Sequence, residues 1–293
     1  MPSGSSAHAS GTDARLSCPR CRATLPRPDG SACCGFWVRR ADGFWDTSAP
    51  ETASGFSPER RNHLESIEGL HFWFAARDRL LLTLLDRLSD RREAVLELGC
   101  GSGRVLSALS SRAGTVAGID LYAASLRAAA ACCPEALLLR CDAREVPLEE
   151  GRFDIVLALD VLEHVAPLDL LREAFRLLRR GGRLLLSVPA FPLLWSSADE
   201  AAGHRCRYHV RQLGEELRQA GFTLRGHTYY QFLLFPAMVL SRRLFAARAM
   251  RVERHPPRPV SRALGLLNHL EVTLLSGMRL PFGSSLIAWA ERT

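Results

Sequence analysis

The sequence predicts an α/β protein in which helices cover both faces of a mostly parallel sheet. Three observations support this. The short apolar run Ala94–Leu98 is typical of a strand buried on both faces of a parallel sheet. A glycine-rich stretch, 99–103, follows it, and a helical pattern continues to about Arg112. A second strand pattern, Thr115–Asp120, then ends in an acidic residue, which completes a strand–helix–strand unit.

The glycine-rich stretch predicts a nucleoside site. Gly99, Gly101 and Gly103 let the backbone turn sharply and approach a ligand without interference from a Cβ atom. The helix that follows directs free N–H groups and its positive dipole end toward the same place. Asp120, at the end of the second strand, is placed to accept hydrogen bonds from ribose hydroxyls.

The spacing of the glycines distinguishes two kinds of nucleoside site. A dinucleotide fingerprint that began at Gly99 would require a glycine where this chain has Arg104. The pattern here is Glu97-x-Gly99-x-Gly101-x-Gly103, with an acid two residues before the first glycine. This pattern resembles the first motif of class I S-adenosylmethionine (SAM)-dependent methyltransferases of the type 11/12 group.

Three later stretches strengthen the resemblance. Residues 136–143 predict a third strand ending at Asp142, where the family places its adenine contacts, and residues 153–164 closely match the family's D-x-V-x-x-x-x-V-L-E-H run. Residues 181–189 resemble its fifth strand after a double-glycine turn. The resemblance implies a Rossmann-like seven-stranded sheet and SAM as cofactor. The cofactor-binding positions that it implies are Glu97, Gly99, Cys100, Gly101, Gly103, Asp120, Leu121, Asp142, Ala143 and Asp160.

Composition sets broader limits. The 293 residues are 47% hydrophobic and 24% charged, which is ordinary for a globular protein with a large core. The net charge of +7 comes from arginine alone because the chain has no lysine, and no basic run reaches five residues. This exclusive use of arginine is better explained by a bias of the coding genome than by binding to nucleic acid. Residues 1–14 lack an apolar core, so we expect no signal peptide and a cytoplasmic protein.

Cysteines near the N-terminus predict a small ribbon. Cys18 and Cys21 have a spacing that suits tetrahedral zinc, and Cys34 lies downstream. The region resembles the small zinc ribbons that precede some methyltransferase domains. The second C-x-x-C of such a ribbon would be residues 31 and 34, and position 31 is Ser. The alternative is a degenerate ribbon without metal, held together by the apolar residues Phe36, Trp37, Phe44 and Trp45.

The chain divides into six predicted segments. They are a disordered N-terminus (1–15), the zinc-ribbon-like segment (16–47), a linker with lid helices (48–92), the SAM-binding core (93–230), a helical insertion (231–283) and the last strand of the core (284–293). In similar methyltransferases the leading segment folds over the SAM pocket, so 72–77 is a candidate lid; plain core packing is the alternative. The insertion is apolar over 232–240 and then basic, a layout that suits packing on the domain or peripheral membrane contact.

Candidate catalytic residues follow the fourth and fifth strands. His164 comes directly after the fourth strand, and His204 and Tyr208 lie in a loop after the fifth, at the edge where open α/β sheets bind ligands. A histidine with a pKa near 7 suits proton removal from a hydroxyl. Arg205 and Arg207 are candidates for holding an anionic acceptor. The alternative is an ordinary solvated loop.

The fourth-strand motif carries one further implication. Glu163-His164 resembles a pair in quinone-pathway O-methyltransferases, where an acid three residues before the glutamate helps to hold a divalent metal. That position is Asp160 here, and nothing else in the sequence indicates a metal at this place.

We expect a SAM-dependent methyltransferase that acts on a small-molecule or lipid-like acceptor, with O-methylation favoured. Two alternatives remain open at this stage. One is a methyltransferase of ribosomal RNA or protein that uses the ribbon to bind its target. The other is a non-catalytic protein with the SAM-binding fold.

Overall fold

The structure is a computed structural model that describes residues 16–25, 34, 36, 38–47, 72–88, 92–244, 258–275 and 279–293. Within these ranges the strands are β1 (Arg39–Ala41), β2 (Phe44–Asp46), β3 (Ala94–Leu98), β4 (Thr115–Asp120), β5 (Leu137–Arg140), β6 (Phe153–Leu159), β7 (Leu178–Pro189), β8 (Phe222–Tyr230) and β9 (Ser285–Arg292).

Eight α-helices are described alongside the strands. They are α1 (Phe72–Leu88), α2 (Arg104–Ser110), α3 (Ala123–Cys132), α4 (Pro167–Leu177), α5 (Ser197–Ala201), α6 (Val210–Gln219), α7 (Phe235–Leu244) and α8 (Arg258–Leu275). Short 3₁₀ turns at Leu162–His164 and Pro192–Leu194 follow β6 and β7.

The described strands form one sheet in the order β1-β2-β5-β4-β3-β6-β7-β9-β8. β5, β4, β3, β6 and β7 are mutually parallel, so their carboxyl ends meet at one edge of the sheet. β9 is antiparallel and lies between β7 and β8. The predicted α/β class and Rossmann-like architecture are confirmed.

The predicted number of strands was wrong, since the described sheet has nine strands and not seven. The two additional strands, β1 and β2, form a hairpin from the ribbon-like segment. β2 pairs in parallel with β5 through Trp45 and Leu139, so the hairpin extends the edge of the main sheet. Edge pairing of this kind satisfies backbone groups that would otherwise face solvent, and local sequence patterns carry no sign of it.

Two apolar layers cover the two faces of the sheet. Successive residues of a strand point to opposite faces, so Leu96 packs in one layer and Val95 in the other. The first layer includes residues of α4 and α6, and the second includes residues of α1, α2, α3 and α8. Burial on both faces explains why the central strands are apolar throughout.

The segments on either side of the core meet in the second layer. α1, within the leading segment, packs against α8, within the insertion, and Arg79 of α1 lies 2.9 Å from His269 Nδ1 of α8. Both helices therefore cover the same face of the sheet. None of the helices within the described ranges combines the length and apolarity needed to cross a bilayer.

Candidate active site

The glycine-rich loop connects β3 to α2 at the carboxyl edge of the sheet. Gly99, Gly101 and Gly103 all have positive φ values, of 74°, 52° and 80°, which favour glycine. A Cβ atom on Gly103 would lie 2.8 Å from the Cβ of Ala129, whereas one on Gly101 would have no atom within 4 Å. Gly103 is thus required by close packing against α3, while Gly101 borders open space.

Asp120 supports this loop directly. Its two carboxylate oxygens each accept a hydrogen bond of 2.9 Å, one from the N–H of Gly101 and the other from the N–H of Tyr122. Asp120, the residue predicted to bind the ribose, therefore lies beside the glycine loop and also holds the loop in its conformation. Because a carboxylate oxygen has more than one acceptor site, these bonds leave capacity for a ligand hydroxyl.

Two other predicted cofactor positions are buried beside the loop. Glu97 is buried within β3, and Cys100 is buried with its sulfur close to Gly118 of β4. Burial raises the pKa of the Cys100 thiol well above its usual value, and the carboxylates of Asp120 and Glu97 raise it further. Cys100 therefore behaves as a small apolar group.

Asp142 follows β5 at the same edge and is held by Arg144. The Arg144 guanidinium donates to both carboxylate oxygens, at 2.9 and 2.5 Å, and its backbone N–H donates at 2.9 Å. Burial acts to raise the pKa of Asp142, but these bonds outweigh it, so the pKa is lowered. Ala143 lies between the two residues, where the chain passes the expected adenine position.

The lid candidate is joined to the end of β6 by an ion pair. Arg77 of α1 donates to Asp160 Oδ2 at 2.5 Å, and Ser187 of β7 donates to Asp160 Oδ1 at 3.0 Å. Asp160 has a φ of 55°, an uncommon conformation for a residue with a side chain. Arg77 lies within the lid segment 72–77 that the sequence predicts, but its partner is 83 residues away along the chain, so no local pattern identifies it.

A second ion pair joins α1 to the glycine loop. Asp78 accepts from the Nε and the terminal nitrogen of Arg104, at 2.8 and 2.5 Å. Arg104 is the first residue of α2, directly after Gly103. α1 is therefore fixed at two places to the edge where the cofactor is expected. The side chains of residues 72–75 lie outside what the structure describes.

The acceptor-side candidates His164 and His204 lie together with Glu163. The two imidazole rings are 4.9 Å apart between centroids, in an edge-to-face arrangement. One ligand atom from each of Glu163, His164 and His204 lies within 4.8 Å of the others. The segment that carries Glu163 also contacts the glycine loop, since a Cβ on Gly99 would be 2.4 Å from a methyl of Val161.

A buried carboxylate positions His204. Asp199 Oδ1 lies 3.0 Å from His204 Nδ1 and also accepts from Arg207, at 2.8 Å from Nε. Arg207 additionally donates to the carbonyl of Ala190. The guanidinium of Arg207 therefore forms hydrogen bonds to Asp199 and Ala190, whereas Arg205 is exposed to solvent. The hydrogen bond to Asp199 leaves His204 Nε2 as the ring nitrogen that faces Glu163, at 4.0 Å.

Tyr208 is completely buried in the apolar layer that includes α6. Its backbone bridges to Ala190, and its pKa lies well above the usual value because of burial, with Cys206 and Glu216 nearby. The backbone of Tyr208 therefore anchors the loop that carries His204, through hydrogen bonds with Pro189 and Phe191, while its ring packs in the apolar layer.

The three predicted zinc ligands also lie together. Cys18 Sγ and Cys34 Sγ are 3.6 Å apart, and one sulfur from each of Cys18, Cys21 and Cys34 lies within 4.8 Å of the others. Two thiolates at about 2.3 Å from one tetrahedral zinc ion are separated by about 3.8 Å, so the cluster fits zinc. Position 33, the neighbouring cysteine, lies outside the described residues.

Comparison with known proteins places this site in context. Residues 96–186 match a family described as a methyltransferase domain. An uncharacterised methyltransferase of Mycobacterium bovis is 33% identical over 131 residues, which cover 45% of this chain and 49% of that protein. A ubiquinone biosynthesis O-methyltransferase of Pseudomonas paraeruginosa is 35% identical over 102 residues, which cover 32% of this chain and 44% of that protein. The chain thus spans about half the length of the curated relatives that it matches.

A solved structure agrees over a larger region. Phosphoethanolamine N-methyltransferase 2 of Haemonchus contortus, in complex with SAM, superposes with a TM-score of 0.53 at 18% identity. The superposition covers 80% of this chain and 57% of that protein. At this level of identity, the superposition shows that the two proteins share a fold.

Proposed function

We propose that this chain, which carries a methyltransferase domain over residues 96–186, is a SAM-dependent methyltransferase that acts on an oxygen of a small-molecule or lipid-like acceptor. The observation that carries the proposal is the arrangement at the carboxyl edge. The glycine loop, Asp120 and Asp142 follow three adjacent parallel strands. Glu163 and His164 follow the next parallel strand, β6, and His204 lies near them in the chain that follows β7; these three residues are the acceptor-side cluster.

Each part of SAM would bind at one part of this edge. The methionine moiety lies over Gly99–Gly103, the ribose lies on Asp120 and the adenine lies near Asp142 and Ala143. The methyl sulfonium then faces the loops after β6 and β7. A sulfonium methyl is intrinsically electrophilic, so the main tasks of the protein are to align donor and acceptor and to exclude water. Orientation alone contributes on the order of 7–11 kcal/mol to lowering such a barrier.

The acceptor-side cluster favours an oxygen acceptor. A hydroxyl must lose its proton on methylation, and two imidazoles and a carboxyl group that lie close together are groups that can accept it. The similarity to a ubiquinone biosynthesis O-methyltransferase, 35% identical over 102 residues, also supports an oxygen acceptor. The ribbon hairpin pairs with the main sheet, which supports a structural role for it over target binding.

We also propose a structural zinc ion at Cys18, Cys21 and Cys34. The described part of the ribbon-like segment packs on the core through a bridge between Leu16 and Leu148. Zinc bound by thiolates would stabilise this small segment by joining Cys18 and Cys21 to Cys34.

The experiment separates cofactor binding from turnover. Acceptors are first identified by incubating cell extract with methyl-labelled SAM and the purified protein. We expect His204→Ala to lower turnover at least about tenfold while SAM affinity, measured by calorimetry, stays within about twofold of wild type. His209→Ala, an exposed histidine five residues later, is the matched control and keeps wild-type turnover. Wild-type turnover in His204→Ala, or a large loss of its SAM affinity, would contradict the assignment.

A further inference from the structure

We infer that the outer face of α8 binds the surface of an anionic phospholipid bilayer. Within the described residues, the exposed large apolar side chains are confined to α7, α8 and the turn after β7, against which α7 packs. Leu193 and Trp195 belong to this turn, Leu240 belongs to α7, and the other four belong to α8. Apolar residues exposed singly are ordinary on a protein surface, whereas a concentration of them marks a binding surface.

The exposed apolar side chains of α8 form a stripe along one side of the helix. Ala263, Leu266, Leu267 and Leu270 are all exposed, and they follow the i, i+3, i+4, i+7 spacing that places residues on one side of a helix. Val260, one turn earlier, extends the stripe. A stripe of this kind is what a helix presents when it lies flat in the interfacial region of a bilayer.

The helix is turned so that polar side chains face the protein and leucines face outward. Asn268 and Glu271 are 0% and 1% exposed. Leu266 and Leu270 are 71% and 51% exposed. Glu271 is held in this orientation because it accepts hydrogen bonds from two backbone N–H groups just before α7, at 3.0 and 3.1 Å. A helix at a boundary between protein and water normally has the opposite arrangement, so the outward leucines favour an apolar partner.

The charge next to this stripe favours a lipid surface as that partner. Residues 241–262, which run from the end of α7 into α8, contain seven arginines and one acidic residue. The last of these arginines, Arg262, is exposed one turn before Leu266. Apolar side chains beside an excess of positive charge are the combination with which peripheral helices bind anionic headgroups.

A second copy of the chain suits this face less well. Two copies joined through α8 would bring their basic segments together, and charges of the same sign repel each other. The exposed apolar side chains of one helix also offer much less area than the roughly 800 Å² per partner of a stable protein interface. A bilayer requires no such area, because a single amphipathic helix is enough for peripheral binding.

Co-sedimentation of the full chain with phospholipid vesicles tests this surface. We expect binding to vesicles of phosphatidylglycerol and phosphatidylcholine, and at least about tenfold weaker binding to phosphatidylcholine alone or at high salt. Leu266→Gln/Leu270→Gln should bind the anionic vesicles at least about tenfold more weakly than wild type, because two leucines no longer enter the bilayer. Leu266→Met/Leu270→Met is the matched control, since methionine has nearly the shape of glutamine but no amide, and it should stay within about threefold of wild type.

Two arginine substitutions test the contribution of charge. Arg262→Gln should weaken binding to the anionic vesicles about fivefold, which is the effect of one basic residue near an anionic surface. Arg218→Gln should match wild type, because Arg218 is also exposed but lies on α6, which covers the opposite face of the sheet.

Urea unfolding and SAM titration of the glutamine double variant should match wild type, since both leucines are exposed. Absence of binding to anionic vesicles, equal binding to anionic and neutral vesicles, or unchanged binding by this variant would overturn the inference. Loss of stability in the variant would show that part of the chain covers the leucines, and a wild-type dimer that the variant dissociates in sedimentation equilibrium would show a second copy there. Either result would also overturn it. Vesicle binding does not depend on the proposed methyl transfer, whose failure appears separately as absence of SAM binding to wild type.

Discussion

Replacement of Gly101 by alanine should separate the ligand-binding role of the glycine loop from its folding role. The N–H of Gly101 donates to Asp120, and a Cβ atom at this position would have no protein atom within 4 Å. The added methyl therefore enters the open space that we assign to the methionine end of SAM. Its effect should fall on SAM affinity more than on packing.

The magnitude follows from the backbone and from the space around it. Gly101 has a φ of 52°, and an L-residue in the left-handed region costs about 1–2 kcal/mol. Gly101→Ala should thus lose about 1–2 kcal/mol of unfolding free energy. A methyl group that overlaps bound SAM should weaken affinity at least about tenfold, or about 1.4 kcal/mol.

Two other glycines provide matched comparisons. Gly181 has a φ of 73° and equally open surroundings, but it lies early in β7, away from the carboxyl edge. Gly181→Ala should therefore show a similar loss of stability with unchanged SAM affinity. Gly103→Ala should destabilise the protein more than either, because its Cβ would lie 2.9 Å from the backbone Cα of Ala129.

Urea unfolding and calorimetric SAM titration, measured on the same preparations, decide between the roles. SAM binding by Gly101→Ala as tight as that of wild type would contradict a ligand at the loop. An equal loss of affinity in Gly181→Ala would also contradict it, since backbone strain would then explain the effect without a ligand at the loop.

Three further predictions concern ion pairs and metal. Asp120→Ala should weaken SAM binding by about 1–3 kcal/mol in calorimetry, because a ligand hydroxyl pair and the N–H of Gly101 lose their acceptor; unchanged affinity would contradict the ribose assignment. Arg77→Ala should lower the free energy of urea unfolding by about 1–3 kcal/mol, since it leaves the half-buried Asp160 without its ion pair, and unchanged stability would argue against this link. Elemental analysis should find zinc in wild type and less in Cys21→Ser; wild type without zinc, purified without chelators, would leave the degenerate ribbon.

The parts of the fold that are encoded locally could be predicted from the sequence. An apolar run followed by glycines and an amphipathic segment is compatible with few local structures other than a strand, a turn and a helix. Parallel strands that follow one another in this way have their carboxyl ends at one edge of the sheet. The sequence therefore predicts Asp120, Asp142 and Asp160 at that edge, and each of them follows a parallel strand there. The late final strand, expected near the C-terminus, is β9.

The pairing of the ribbon hairpin with β5 was not accessible from the sequence. Short strands such as β1 and β2 have only three residues each, too few for a periodic signal. Their place at the sheet edge depends on which edge is unoccupied, and this is a property of the assembled sheet.

The sequence by itself determined the cofactor edge, the glycine spacing and the candidate histidines, because each depends on residues adjacent in the chain. Only the tertiary structure decided how those residues are used. It paired Arg77 with Asp160, held His204 with Asp199, enclosed Tyr208 in the core and left the Glu163 carboxylate facing two imidazoles. These contacts join residues from separate loops, and their geometry is fixed by the packing of whole elements, for which local periodicity carries no information.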